Sequence, residues 1–205
     1  MIQEAFYSVN LVKPNNEFVR FIDGIFYLEH GSEFKIVICN NSSEHRINAK
    51  IYIDGKRIGY FRIGKNNKIV VERPDDENKQ RKLTFCALDS KEGKAGNLQD
   101  SDKLGQLLVK IEREIERPKK CYFSSDEDFD CCNFSMHSDS FSGSGSVMAL
   151  GGHKFTPANK KGGTVLGNKS TQKFSTAEYM EISHEIIHLE AKMMLLVKDE
   201  PIIPL

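Results

Sequence analysis

Between Glu33 and Pro74, apolar and polar residues alternate with the period of half-buried strands. Phe34, Ile36 and Ile38 alternate with Lys35, Val37 and Cys39. After a polar turn at Asn40-Asn41-Ser42-Ser43, the pattern resumes as Ile47, Ala49, Ile51 and Ile53 against Asn48, Lys50 and Tyr52. Asp54-Gly55 follows, a dipeptide suited to the two positive φ angles of a type I′ hairpin turn. Arg57 to Ile63 runs back, and Lys68 to Glu72 follows a turn at Gly64 to Asn67. Lys82 to Leu88 alternates again. This pattern predicts a core of antiparallel strands.

The rest of the chain separates by texture. Residues 1–30 hold two short apolar runs, Glu17 to Ile22 and Ile25 to Leu28, broken at Asp23-Gly24, and read as a leading hairpin or arm. Asp89 to Asp102 is polar and reads as a loop. Residues 104–116 fit two templates. Leu104, Leu107, Leu108, Ile111 and Ile115 share a helical face, while Leu107, Val109 and Ile111 against Lys110, Glu112 and Glu114 make a strand. The all-β surroundings favour the strand. Residues 117–163 are rich in Ser, Gly, Asp and Lys, too polar to bury the apolar area that would offset ordering, and read as an exposed, flexible insertion. If a partner orders this segment, it is where the protein meets its neighbours. Strand-like alternation returns at Gln172 to Thr176 and Ile186 to Val197. The expectation is one domain over residues 1–205, an all-β sandwich of jelly-roll type. It would have about eight strands, with sheets built from residues 18–116 and 170–197 and a long polar insertion before the last strands.

Composition narrows the class. The 29 basic and 29 acidic residues balance, so no global field draws nucleic acid or an anionic membrane. The basic pairs Lys119-Lys120 and Lys160-Lys161 lack the interleaved aromatics of a nucleic-acid groove. No apolar run approaches the roughly 20 residues of a membrane span. Met1-Ile2-Gln3-Glu4 lacks the start of a signal peptide. Five cysteines without disulfide-like spacing fit a reducing compartment, which makes the sequons at Asn41, Asn133 and Asn168 incidental. Phe21, Phe26, Phe34, Phe61 and Phe85 are the expected core aromatics, and tryptophan, the usual sugar-stacking residue, is absent.

The sharpest enzymatic signal is His184-Glu185-Ile186-Ile187-His188, which matches the H-E-x-x-H of zinc hydrolases. That chemistry requires a helix, where side chains at i and i+4 meet on one metal. On a strand the two histidines stand roughly 13 Å apart at ~3.3 Å per residue, too far to share an ion. Leu189, Ala191, Met193 and Leu195 alternate with polar positions, so a strand with exposed histidines is expected here. A helical pattern, Ile186-Leu189-Met193-Leu196, competes with it, and Glu200 would be the third ligand. Cys121, Cys131, Cys132 and His137 form a second candidate, a zinc knot, but adjacent cysteines do not match the C-x₂₋₄-C spacing. Ser124 to Asp130 lacks the glycine and closing glutamate of an EF-hand. Ser142 to Ser146 is low-complexity sequence without the preceding strand of a nucleophile elbow. No catalytic, cofactor or metal residues are therefore assigned, and the protein is expected not to be an enzyme.

Three segments together resemble a family of minor capsid or penton-type proteins of large double-stranded DNA viruses. The first is Gly31-x-Glu33-Phe34-x-Ile36-x-Ile38-x-Asn40-Asn41-Ser42. The second runs from Ile51-x-Ile53-Asp54-Gly55-x-x-Ile58-Gly59-x-Phe61-Arg62-Ile63 through Ile69 to Pro74 and Arg81 to Phe85. The third is Gly162-Gly163-Thr164-Val165-Leu166-Gly167-x-x-Ser170-x-Gln172-x-Phe174. In the closing strand, Glu190-Ala191-Lys192 stands where the family pattern has an arginine. The resemblance implies a structural virion component, made and assembled in the host cytoplasm. It implies a cyclic homo-oligomer, five copies suiting a vertex, in contact with the major capsid protein or other virion proteins. A fibre-associated or surface module that recognises a host protein or glycan is the alternative of another class.

Overall fold

A computed structural model describes residues 1–115 and 161–196, which belong to one compact unit. The strands there are, in chain order, β1 (Ile2–Glu4), β2 (Tyr7–Val12), β3 (Arg20–Ile22), β4 (Ile25–Leu28) and β5 (Ser32–Glu33). They continue as β6 (Lys35–Asn40), β7 (Ile47–Ile53), β8 (Lys56–Ile63), β9 (Asn67–Val71) and β10 (Arg81–Ala87). A short helix α1 (Lys91–Ala95) precedes β11 (Gln106–Glu114), β12 (Gly162–Lys169) and β13 (Ile182–Leu195). Three sheets result, ordered β1-β2-β6-β9, β12-β10-β5 and β3-β4-β13-β11-β7-β8. The protein is an all-β sandwich. Among the described residues no helix is long and apolar enough to cross a membrane.

Alternation in sequence becomes alternation in burial. Ile36 and Ile38 of β6, Ile47, Ala49 and Ile51 of β7, and Leu107, Val109 and Ile111 of β11 are fully buried. Leu189, Ala191, Met193 and Leu195 of β13 join the same continuous core. Each of the larger side chains among them, Ile, Leu, Val or Met, contributes roughly 1.5–3 kcal/mol by leaving water. Strand β10 is different, with Leu83, Thr84, Phe85 and Cys86 buried on both faces. Phe26, Phe34 and Phe85 lie in the core, and Phe21 and Phe61 pack partly buried against it.

Asp54 and Gly55 form the tight turn between β7 and β8, with φ of 53° and 73° and Ile53 paired to Lys56. Asp23-Gly24 repeats the device between β3 and β4, with φ of 49° and 80°. The four strands from β6 to β9 are nested. The hairpin β7–β8 lies in the six-stranded sheet, while its flanking strands β6 and β9 pair with each other in the four-stranded sheet. Buried Asn40 holds the two crossings together. Its Nδ2 donates to the carbonyls of His45 and Gly64, each at 2.9 Å, and its Oδ1 accepts from the Ser42 N–H at 3.0 Å.

Several expectations need correction. The strands number thirteen in the described residues, not about eight, because short pieces such as β1, β3 and β5 carry too few residues to show a period. The hairpin or arm expected over residues 1–30 is a hairpin at Asp23-Gly24, as read, but a second one, β1–β2, joins a different sheet, and β2 runs between β1 and β6 with Val9 and Leu11 fully buried. The sheets therefore extend beyond residues 18–116 and 170–197. Gly162 and Gly163, placed at the end of the insertion, open β12. Gln172 to Thr176 is not a ladder strand. Within the Asp89–Asp102 loop, the Ser90 side chain accepts from the Gly93 N–H and caps α1. Residues 104–116 contain β11, as the strand template predicts. The pairing of β13 with β4 is parallel, joining Lys192–Leu195 to Ile25–Leu28.

Candidate functional site

The histidine motif lies on β13, paired antiparallel to β11 with His188 opposite Lys110. His184, Glu185 and His188 are exposed, and Glu185 forms an ion pair with Arg113. An extended strand separates the histidines by four residues of rise, so they do not converge on one ion. Among the described residues no group of three or more His, Cys, Asp or Glu side chains is placed to hold a metal. Cys121, Cys131, Cys132, His137, Ser124 to Asp130, Ser142 to Ser146 and Glu200 lie outside the described residues, as does most of the 117–163 insertion. Cys39 and Cys86 are free thiols, and burial pushes the Cys86 thiol up from its ordinary pKa.

Polar groups converge instead on the outer face of the six-stranded sheet. Glu112 of β11 is only 3% exposed, although the strand pattern puts it on the solvent side. Lys50 Nζ of β7 donates to its Oε1 at 2.5 Å, and the Tyr60 hydroxyl of β8 donates to its Oε2 at 2.8 Å. Asn48 Nδ2 donates to the Tyr60 oxygen at 2.7 Å, and Arg62 Nε donates to Asn48 Oδ1 at 3.1 Å. Burial, and then the Glu112 carboxylate, raise the Tyr60 phenol to a pKa of about 12. It stays a hydrogen-bond donor at any physiological pH. The network ties three strands edge to edge through side chains and occupies both oxygens of its carboxylate.

Residues 172–182 run past β8 and β9 and border a cavity of about 870 Å³. Two of the motif segments meet here. Gln172 caps the free edge of β9, accepting from the Glu72 N–H at 3.0 Å and donating to the Val70 carbonyl at 2.6 Å. The Ser170 hydroxyl donates to Glu72 Oε1 at 2.5 Å, and Arg73 Nε donates to the Gln172 carbonyl at 2.8 Å. The Arg73 guanidinium lies 4.5 Å over the Phe174 ring, which in turn packs on Phe61 at 5.1 Å. Arg62 holds the Glu178 carbonyl, and Tyr179 beside it is 92% exposed.

A third constellation surrounds the hairpin turn. The partly buried Asp54 carboxylate accepts the N–H of Gly105 and of Thr164, each at 2.6 Å. One side chain thus links the β7–β8 turn to the start of β11 and to β12. Burial pushes this carboxyl above its ordinary pKa, against the pull of those two N–H groups and of Lys56.

Sequence reasoning missed Glu112, Asp54 and Gln172 as organising residues. Asp54 carried a signal as a turn residue, which concerned its backbone rather than its carboxylate, and Gln172 stood in the third of the resemblance segments without a role; Glu112 carried none. No family model matches this chain, and the searches of curated proteins and of solved structures found no match.

Proposed function

We propose that this protein is a non-enzymatic structural component of a virion, a minor capsid or vertex protein of a large double-stranded DNA virus. It acts through self-association and contacts with neighbouring capsid subunits. The observation that supports this reading is how the carboxylates are used. Glu112 joins three strands, Asp54 joins a turn to two further strands, and Glu72 holds the 172–182 segment through Ser170. These three carboxylates, of the type that would carry acid–base chemistry, are committed to fastening the sandwich, as suits a rigid building block. The resemblance of three segments to capsid proteins supports the viral assignment. Sandwich subunits packed side by side through heterologous contacts close into rings when the rotation allows. Cryo-electron microscopy of purified particles tests the proposal: density fitting this sandwich at a vertex or between major capsid subunits is expected, and particles without it overturn it.

A second reading is a surface-binding module. It is favoured by the 870 Å³ cavity beside the exposed Tyr179 ring, with Arg62 and Asn48 as polar groups at its wall. A glycan or host protein held there would protect Tyr179 from chemical modification, which an empty cavity would not.

A further inference from the structure

The six-stranded sheet ends at β8 and the three-stranded sheet at β12. A cleft of about 850 Å³ opens between these two strands, within the span of roughly 300–1,000 Å³ usual for small-molecule sites. Asp54 ties its two rims together by accepting the Thr164 N–H at 2.6 Å. Asp75 covers the β8 side, where its Oδ2 accepts the Tyr60 N–H at 3.1 Å and its own N–H donates to the Ile58 carbonyl at 2.9 Å. The β12 wall comes from the core face of its sheet. Thr164 is opposite Phe85 and Leu166 opposite Leu83, and both of those partners are fully buried. Alternation along β10 puts Arg81 on the same face as Leu83. Ile58 of β8 lines the facing wall.

Most of the charge around this cleft is committed within the chain. Arg57 lies 3.5 Å from Asp75, Lys79 lies 3.3 Å from Asp76, and Glu92 lies 3.6 Å from His30. Asp54 has its two N–H donors and the attraction of Lys56. Arg81 is the exception. It lines the cleft, and among the described residues its guanidinium has no carboxylate. The residue opposite it in the ladder is Lys169, a second cation rather than a counter-ion. Like charges directly opposite destabilise a ladder, so an anion placed here relieves a cost. One hydroxyl in the same wall is also left over. Thr164 Oγ1 is buried and has no hydrogen-bond partner among the described residues, an uncommon condition for a buried polar atom.

We propose that the cleft between β8 and β12 binds a small hydroxylated monocarboxylate of the sugar-acid type. The Arg81 guanidinium takes the carboxylate, whose two oxygens match its fork of N–H donors. The Thr164 hydroxyl takes a hydroxyl of the ligand, and the C–H face of the sugar ring lies on Leu166 and Ile58. One uncommitted cation in the lining calls for one negative charge. A phosphate dianion would meet Asp75 and Asp76 with no second free cation in the lining to balance it. An acid without hydroxyls would leave Thr164 as it is, buried and unpartnered. Such binding needs no capsid neighbour, so it stands or falls apart from the virion role.

The test titrates the full chain with glucuronate, followed by NMR, and repeats the titration with glucose, hexanoate and inorganic phosphate. Glucuronate should saturate with a Kd of about 1 mM or tighter. Glucose lacks the charge and should bind at least about tenfold more weakly, while hexanoate lacks the hydroxyls and should bind about threefold more weakly or worse. Phosphate should also bind more weakly than glucuronate. Arg81 is exposed, so Arg81→Gln leaves the core intact, and it should weaken glucuronate at least about tenfold. Thr164→Val keeps the backbone bond to Asp54 and should weaken glucuronate about threefold while leaving hexanoate unchanged. A glucuronate titration that does not saturate by about ten times the expected Kd overturns the site. So does full affinity in Arg81→Gln, or glucose or phosphate binding as tightly as glucuronate. Hexanoate binding as tightly as glucuronate, or Thr164→Val without effect, overturns the assignment of a hydroxylated ligand.

Discussion

Replacing Asp54 by glycine separates what its carboxylate does from what its backbone does, because Asp23 occupies the same kind of turn. Both aspartates have φ near 50° and a following glycine at positive φ. Asp23 is exposed, whereas the Asp54 carboxylate accepts two N–H groups at 2.6 Å. Glycine relieves a left-handed strain of roughly 1 kcal/mol at either site and adds unfolded-chain entropy of about the same size. Asp23→Gly should therefore be near neutral. Asp54→Gly additionally removes two charge-assisted bonds, each contributing about 1.5–3 kcal/mol. Relief from desolvating the carboxylate offsets part of that loss, since burial is the largest influence on this group. A net loss of about 2 kcal/mol is expected, or about 4–8 °C in melting temperature for a protein of this size. Urea and thermal unfolding followed by far-ultraviolet circular dichroism measure both variants. The pH dependence supplies a second readout. The folded carboxyl has a pKa above its ordinary value of 3.8, so the folded state binds this proton more tightly than the unfolded state. Its contribution is full below the unfolded value and declines as pH rises through the folded value. The gap between wild type and Asp54→Gly should thus widen on acidification from neutral pH. Equal effects of the two substitutions would refute the tether, whereas a gap that narrows in acid would show that the two N–H bonds outweigh burial and would refute the raised pKa.

Glu112→Gln should bring the Tyr60 phenol down from about 12 part of the way to 10 in an ultraviolet titration, stopping short because burial, the largest cause, remains. The same change should destabilise by about 1–2 kcal/mol, less than a fully buried pair, because the Lys50 side chain is 35% exposed and can turn to water. Gln172→Ala uncaps β9 and should speed exchange of the Glu72 amide, with a loss of about 1–2 kcal/mol in urea unfolding. Gly162→Ala would set a methyl 2.6 Å from the buried Phe85 ring, and a loss of about 1–3 kcal/mol from overpacking is expected by the same assay. Elemental analysis of the purified chain should find no stoichiometric zinc bound through His184 and His188; zinc that disappears on replacing either one would restore the hydrolase alternative.

Local pattern determined much of this protein. The alternation of Ile36, Ile38, Ile47, Ile51 and Ile53 assigned each residue to core or surface, because a strand turns every second side chain to the same face whatever sheet it joins. Asp54-Gly55 marked its turn for an equally local reason, the φ angles of two consecutive residues. The strand over 104–116 and the strand through His184 to His188 were weighed against helices, and pairing decided both, since β11 and β13 are each other's neighbours. Other features had no local trace. Only the tertiary structure set β6 and β9 together beneath the β7–β8 hairpin, laid β13 parallel to β4, and left β12 as an edge. It also buried Glu112 on a face the pattern marks as wet, by bringing Lys50 and Tyr60 from two other strands within hydrogen-bond reach. Periodicity records how a residue sits on its own strand, while the partners of its carboxylate or its backbone edge come from strands tens of residues away, and only the folded pairing brings them there.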